Sequence, residues 1–381
     1  MYWIVVLITS ILLLAYCLLI LLYRQWFLRL PLFQKEADDP VTKFSIIIPA
    51  RNEEHNIAQC LNNVLGQNYP ARLYEVIVIN DHSTDRTEEI IRSYQQTHTN
   101  LRLLNLADHI DGRKLNAYKK KAIEFAIAQS NGNWIVTTDA DCTMGTQWLN
   151  RFDAFIRQND PVFIAAPVMF TSDGSFLQNF QLLDFISLQG ITAAAVSAGY
   201  HTMCNGANIA YRKDVFYEAG QFRGIDDVAS GDDMLLMYKI KQKYPARMGY
   251  LFARESVVLT EPMKDWKSFL NQRIRWASKT GSYQDKGIFW TLALVYGVNF
   301  LLLVLLAWSP FVEKGFNNWL LLLLAKTLIE LGFMIPVAKF YRQTGVLAWF
   351  PVMQVFHMLY TVVAGWLGKF GTYQWKGRTV R

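Results

Sequence analysis

The chain has 381 residues, is 52% hydrophobic and carries a formal net charge of +7. Apolar residues gathered at both ends exclude a simple soluble domain, and the basic residues flanking them (Arg24, Arg29, Lys35, Lys339, Arg342 and Lys369) read as a cytoplasmic-side bias, not as a nucleic-acid surface. The four cysteines, Cys17, Cys60, Cys142 and Cys204, are too scattered for a metal pattern or a disulfide framework.

Tyr2 to Tyr23 contains no charged residue. At about 1.5 Å per residue it spans roughly 33 Å, enough for the hydrocarbon core of a bilayer. No basic stretch precedes it and no small-x-small site follows it, so it reads as a retained anchor and not as a cleaved signal peptide. A short linker ends at Asp39–Pro40, and Phe44–Pro49 is a buried-strand run closed by proline. The loop Ala50–Glu54 leads into a helix with apolar positions at Ile57, Cys60, Leu61, Val64 and Leu65. Val76–Ile79 is a second strand, ending in Asn80–Asp81, and Asp85 with Glu88 has the spacing of a capping box. Leu101–Leu106 is a weaker strand. Leu115–Ala128 is helical and carries Lys119, Lys120 and Lys121. This alternation predicts an α/β fold, a mostly parallel sheet with helices on both faces.

Trp134–Asp141 is the stretch that carries the chemistry. Four apolar or β-branched residues run into two carboxylates one residue apart. If the extended geometry persists past Thr138, Asp139 and Asp141 share a face at the strand's C-terminal end, where open α/β sheets bind ligands. Two carboxylates so placed suit a hard divalent cation, Mg²⁺ or Mn²⁺, with positions left for substrate phosphates.

Val162–Met169 reads as one further strand, and Phe176–Ala198 as an apolar and aromatic helix lying along the membrane surface. Ser230–Gly231–Asp232–Asp233 precedes an apolar run from Met234. Trp266–Trp276 is a basic amphipathic helix suited to an interface. Three apolar segments follow, Ile288–Trp308, Trp319–Ala338 and Val346–Leu367. The middle one holds Lys326 and Glu330 at i, i+4, which can pair.

Taken together, these stretches resemble the family-2 glycosyltransferases, and within them the membrane-integrated branch of cellulose, hyaluronan and poly-N-acetylglucosamine synthases and ceramide glucosyltransferases. Ser45–Glu53 looks like that family's first nucleotide-binding strand and loop, and Val78–Asp85 like its second. Asp139–Ala140–Asp141 is similar to its Asp-x-Asp, Asp232–Asp233 stands at its Glu-Asp or Asp-Asp, and Gln272–Trp276 matches Gln-x-x-Arg-Trp. The resemblance covers roughly residues 44–276. It implies a GT-A-type nucleotide-binding sheet with transmembrane helices at both ends. Pro49, Ala50, Arg51, Asn52, Glu53, Asp81 and Lys120, with Asp139 and Asp141, would bind the nucleotide sugar. Asp141, assisted by Asp139, would hold the metal. The family lysine usually follows a glycine, and Tyr118 takes that place here. Asp233, tuned by Asp232, would be the base. Arg275 would bind diphosphate through its planar donor fork, and Gln272 and Trp276 would border the acceptor.

The expected organisation is an anchor (1–23), a linker (24–43), a cytoplasmic catalytic domain (44–260), an amphipathic interface helix (261–287), membrane segments making two to three spans (288–367) and a basic tail (368–381). The expected protein is an integral membrane enzyme of a bacterial cytoplasmic membrane. It is expected to be a metal-dependent, inverting hexosyltransferase moving a sugar from a nucleotide sugar, UDP-linked by expectation, to a membrane lipid or small-glycan acceptor. The alternatives are a processive synthase exporting a β-linked polymer and a non-catalytic membrane scaffold. Three full C-terminal spans would put the tail outside, yet its Lys369, Lys376, Arg378 and Arg381 favour the inside. The expectation is that Trp375–Arg378 is cytoplasmic.

Overall fold

The computed structural model describes residues 1–35, 39–109, 117–226, 228, 231–282, 284–370, 373–375 and 378–380. In chain order its elements are α1 (Tyr2–Arg29), β1 (Phe44–Ala50), α2 (Ile57–Leu65), β2 (Tyr74–Asn80), α3 (Thr87–Gln95), β3 (Leu101–Asn105), α4 (Tyr118–Ala128), β4 (Trp134–Thr137), β5 (Thr143–Met144), α5 (Trp148–Asn159), β6 (Phe163–Ala165) and β7 (Val168–Phe170). There follow α6 (Phe176–Ser197), β8 (Ile209–Arg212), α7 (Lys213–Glu218), α8 (Asp232–Lys243), β9 (Met248–Tyr250), β10 (Val258–Thr260), α9 (Trp266–Ser278), α10 (Lys286–Trp308), α11 (Gly315–Tyr341), α12 (Phe350–Phe370), β11 (Tyr373–Trp375) and β12 (Arg378–Val380). They fall into a sheet unit, Pro31–Phe170 with Thr202–Glu261, and a helical unit, Met1–Leu30 with Thr171–His201 and Pro262–Arg381.

The sheet unit is built on seven strands in the order β3-β2-β1-β4-β8-β6-β9. Only β8 runs against the others. Ile46, Ile47 and Ile48 on β1 and Val76 to Ile79 on β2 are fully buried, as a sheet covered by helices on both faces requires. The parallel register sets Ala50 beside Asn80 and Ile47 beside Thr137, so the loops after β1, β2 and β4 leave from one edge. A small second sheet, β5-β10-β7, sets Leu259 against Thr143.

Three local expectations change. Val162–Met169 is two strands in two different sheets, because Pro167 has no N–H to continue a ladder. The helix expected from Leu115 begins at Tyr118, and residues 110–116 lie outside the described residues. Asp85 and Glu88 form no capping box: Asp85 accepts from the Glu54 and Thr87 N–H groups, while Glu88 takes Arg92 and Asn80.

Gly132, just before β4, packs directly on β1. A Cβ there would lie 2.5 Å from Ser45 N and 2.6 Å from Phe44 C. Neither backbone atom can retreat from a central strand. Gly132→Ala is therefore expected to destabilise the protein by about 1–3 kcal/mol, read as a lower melting temperature of the purified chain.

In the helical unit, α1, α6, α10, α11 and the segment Thr344–Phe370 are each long and apolar enough to cross a membrane. The predicted Lys326–Glu330 pair forms at 2.7 Å, buried and closed on all sides. Gln354 bridges the two, and the Tyr16 hydroxyl donates to Glu330. Charges inside apolar helices thus face protein and are satisfied there, as the cost of exposing them to lipid demands. All four cysteines are free thiols.

Candidate active site

The loops after β1 and β2 are stitched to each other. The Asp81 N–H donates to Ala50 O at 2.8 Å, and Arg51 Nη1 donates to Asp81 O at 3.0 Å and lies 3.8 Å from the Asp81 carboxylate. Asn52 sits at φ 52° and His82 at φ 56°, left-handed conformations that Asn and His adopt more readily than most residues. This turns Asn52 Oδ1 onto Thr84 N at 2.8 Å and places His82 Nδ1 2.8 Å from Asp81 Oδ1. Glu53 donates its N–H to Thr87 Oγ1 at 2.7 Å. The Pro49–Glu53 and Asp81 positions named from sequence therefore form one continuous rim.

The Asp-x-Asp is not a continuation of β4. The strand ends at Thr137, and the Cys142 N–H donates to Asp139 O at 3.2 Å, an i to i+3 turn. The two carboxylates therefore leave a turn and not a strand pleat. Both act on the buried thiols of Cys60 and Cys142, whose pKa values are raised first by burial and then by Asp141 and Asp139. Those thiols stay protonated, so they are poor metal ligands and the carboxylates remain the donors. Asp141 Oδ2 is met by the Thr260 hydroxyl at 3.4 Å.

The three lysines of α4 separate cleanly. Lys119 Nζ donates to Asp139 Oδ1 at 2.8 Å and lies 3.4 Å from Asp232 Oδ2. Lys120, the residue favoured from sequence, is buried and donates to the carbonyls of Ile225 and Val228 at 2.5 and 2.6 Å. Lys121 pairs with Glu124. Of the three lysines, among which the sequence favoured Lys120, Lys119 is the one that reaches the acids. Its signal was its place directly after Tyr118, where the family lysine follows a glycine. Burial alone would favour neutral Lys119, but the Asp139 and Asp232 carboxylates outweigh it and raise its pKa well above the usual lysine value. Its stabilising contribution is complete below the ordinary lysine range and is lost only as pH climbs through the raised value. The ammonium is charged throughout the neutral range.

Asp233 opens α8. Its Oδ2 accepts the Gly206 N–H at 3.0 Å and its Oδ1 the Met234 N–H at 2.7 Å, while Gly206 O accepts the Thr137 hydroxyl at 2.7 Å. The segment around Gly206 therefore ties the end of β4 to the start of α8. Lys119 thus links Asp139 to Asp232, and Gly206 links Asp233 to the end of β4.

Among the described residues, no three His, Cys, Asp or Glu side chains are grouped to hold a metal by themselves. Asp139 and Asp141 fit a cation of the Mg²⁺ type, which commonly takes one or two carboxylates and completes its shell with phosphate and water. Lys119 keeps 23% and Asp139 38% of side-chain exposure, so a ligand can reach the pair.

Gln272, Arg275 and Trp276 lie on α9 of the helical unit. Trp276 stacks over the guanidinium of Arg273 at 4.1 Å, and Arg273 pairs with buried Asp184 at 2.6 Å. Arg273 and Asp184, which were not singled out from sequence, hold this helix in place.

The profile of Glycosyl transferase family 2 matches residues 45–220, and that of Glycosyl transferase family group 2 matches residues 134–367. Glycosyltransferase AglE of Haloferax volcanii is 28% identical over 61% of this chain and 70% of its own length. The probable glycosyltransferase YdaM of Bacillus subtilis is 27% identical over 64% of this chain, which spans 56% of that protein. In fold, the chain is similar to a mannosyltransferase from Pyrobaculum calidifontis solved with GDP-Man and Mn²⁺, with a TM-score of 0.65 at 17% identity, covering 96% of this chain and 99% of that one. The second of these profiles takes in more than half of the chain, which therefore belongs to Glycosyl transferase family group 2.

Proposed function

We propose that the protein transfers a sugar from a nucleotide sugar, UDP-linked by expectation, to a membrane lipid or small-glycan acceptor, with inversion at the anomeric carbon. The observation that carries this reading is the Lys119 ammonium, set between Asp139 of the Asp-x-Asp and Asp232 of the acid pair. One cation thereby joins the donor side of the site to the acceptor side.

Asp141 and Asp139 would hold Mg²⁺ or Mn²⁺, which when bound supplies Lewis-acid stabilisation of the departing diphosphate. The rim formed by Arg51, Asn52, Glu53 and Asp81 binds the nucleoside, with Asp81 accepting from the base. Lys119 exchanges part of its contact with Asp139 for the donor's diphosphate. Asp233 takes the proton of the acceptor hydroxyl as the new C1–O bond forms and the bond to diphosphate breaks. The nucleoside diphosphate leaves from the opposite face, so a single displacement inverts the centre. Gln272, Arg275 and Trp276 keep the diphosphate and acceptor roles that the family resemblance implies. The protein sits in the cytoplasmic membrane with its sheet unit in the cytoplasm, where nucleotide sugars are made.

The test is purified protein in detergent, given labelled nucleotide sugars and lipid extract. One lipid-soluble product is the expected result. A ladder of products would establish the processive alternative, and release of no sugar under any donor would overturn the enzyme reading.

A further inference from the structure

Among the described residues, six that are not glycine take left-handed backbone. Four of them stand at helix ends. Asp160 and Arg342 cap the C-terminal ends of α5 and α11, Lys314 stands at the start of α11, and the Gln221 N–H donates to Phe216 O behind α7. Left-handed residues are common where a helix closes. The other two, Asn52 and His82, lie in the rim of the candidate site. Asn52 has a local reason for its conformation, since its side chain accepts the Thr84 N–H at 2.8 Å. Asn is also among the residues that tolerate it best.

His82 calls for a different explanation. Its φ of 56° is one that glycine adopts freely. Backbone held in such a conformation at a site points to a role for the side chain it carries. The imidazole makes two contacts. Nδ1 lies 2.8 Å from Asp81 Oδ1, and the ring meets Tyr118 edge-on with centroids 5.9 Å apart. A carboxylate oxygen can only accept, so Nδ1 carries the proton of the first contact.

The carboxylate that receives this proton is nearly enclosed. The Asp81 side chain is 7% exposed, against 40% for His82. Arg51 Nη1 lies 3.8 Å from the same Oδ1 and donates to the Asp81 carbonyl at 3.0 Å. The last torsion of an aspartate is otherwise broad, without deep staggered wells. With the imidazole N–H on Oδ1 and the Arg51 cation beside it, the carboxyl plane is set before a ligand arrives. The phosphate end of the site is served by other side chains, Lys119 and the Asp-x-Asp. A change at His82 therefore acts on one end of the donor and not on the other.

We propose that His82 is a positioning residue for base recognition. Its imidazole holds the Asp81 carboxylate in the plane that receives an N–H of the nucleobase, and so sets both nucleotide affinity and the choice among bases. The proposal rests on the reading of Asp81 as acceptor from the base. A carboxylate that can turn accepts from donors in several positions with similar ease, and a fixed one selects among them, because its orientation is already settled when the base arrives.

The test uses the full purified chain in detergent with Mn²⁺. UDP, GDP, ADP, CDP and inorganic pyrophosphate are titrated by calorimetry, so that neither acceptor nor turnover is needed. Wild type is expected to bind one nucleoside diphosphate in preference to the others. His82→Gly suits the left-handed backbone and deletes only the imidazole. It is expected to weaken that nucleotide by about tenfold, the worth of a hydrogen bond to a charged group, and to narrow the gap between bases. Pyrophosphate binding should stay as in wild type. Melting temperature should also hold, since relief of the backbone offsets the freer unfolded chain. His82→Asn tolerates the same backbone and sets an amide N–H where Nδ1 stands, so most of the affinity should return. Equal affinity of wild type and His82→Gly for the preferred nucleotide overturns the proposal. A matching loss of pyrophosphate binding overturns it too, by marking a residue that only supports the fold. So does a His82→Asn variant no better than His82→Gly, which would assign the effect to ring packing on Tyr118. A wild-type chain that binds every nucleoside diphosphate no more tightly than pyrophosphate would instead overturn the role given to Asp81, and the proposal with it.

Discussion

Asp141→Asn is expected to lower kcat by about 10³-fold, equivalent to ~4 kcal/mol of transition-state stabilisation. The substitution keeps the side chain's shape and its contact with the Thr260 hydroxyl, 3.4 Å away. It removes one of the two negative charges with which this turn is proposed to hold a hard cation. The loss should fall mainly on kcat, because charge on the departing diphosphate builds up in the transition state and not in the bound donor. Asp139→Asn should cost less in metal affinity but should also disturb Lys119, whose ammonium lies 2.8 Å from Asp139 Oδ1. The measurement is transfer rate against Mn²⁺ and Mg²⁺ concentration for each variant, with chelator as the zero point. Full activity of Asp141→Asn, or wild-type activity that chelator leaves untouched, would remove the metal from the proposed function.

Asp233→Asn should lower kcat by about 10²–10⁴-fold, the range over which general bases contribute, and leave donor KM nearly unchanged. Asp233 is held by the Gly206 and Met234 N–H groups, so its carboxylate is oriented before any acceptor arrives. An amide there can accept only through its oxygen, and its NH₂ would face one of those donors. Part of any loss could then come from a displaced Gly206 segment. Asp233→Glu separates the two effects, since it keeps the base and disturbs only its position. The expected order of rates is wild type, then Glu, then Asn, with all three proteins melting at similar temperatures. Asp232→Asn should be milder and act through Lys119. If Asp232→Asn proved the more damaging variant with donor binding intact, the two acids would exchange roles.

Local patterns in the sequence were enough for the catalytic half of the fold. The short apolar run through Ile46–Ile48, closed by Pro49, fits a strand covered on both faces, and the spacing of Ile57, Cys60, Leu61 and Val64 buries one side of a helix. The carboxylates, the family and the existence of apolar segments at both ends followed from residue type and order. Only tertiary structure decided which lysine of α4 reaches the acids. Three adjacent lysines point to three directions around a helix, and which direction holds Asp139 depends on how α4 seats on β1. It also decided that Asp139 and Asp141 stand in a turn, since the Cys142 N–H is drawn back to Asp139 O and not into a ladder. Which partners α6, α9 and α12 pack against was likewise beyond reach. Length and apolarity measure how much of a helix can leave water, but direction is set by partners distant in sequence, here Asp184, Arg273 and Tyr360, whose buried charge pair exists only once three separate helices lie side by side.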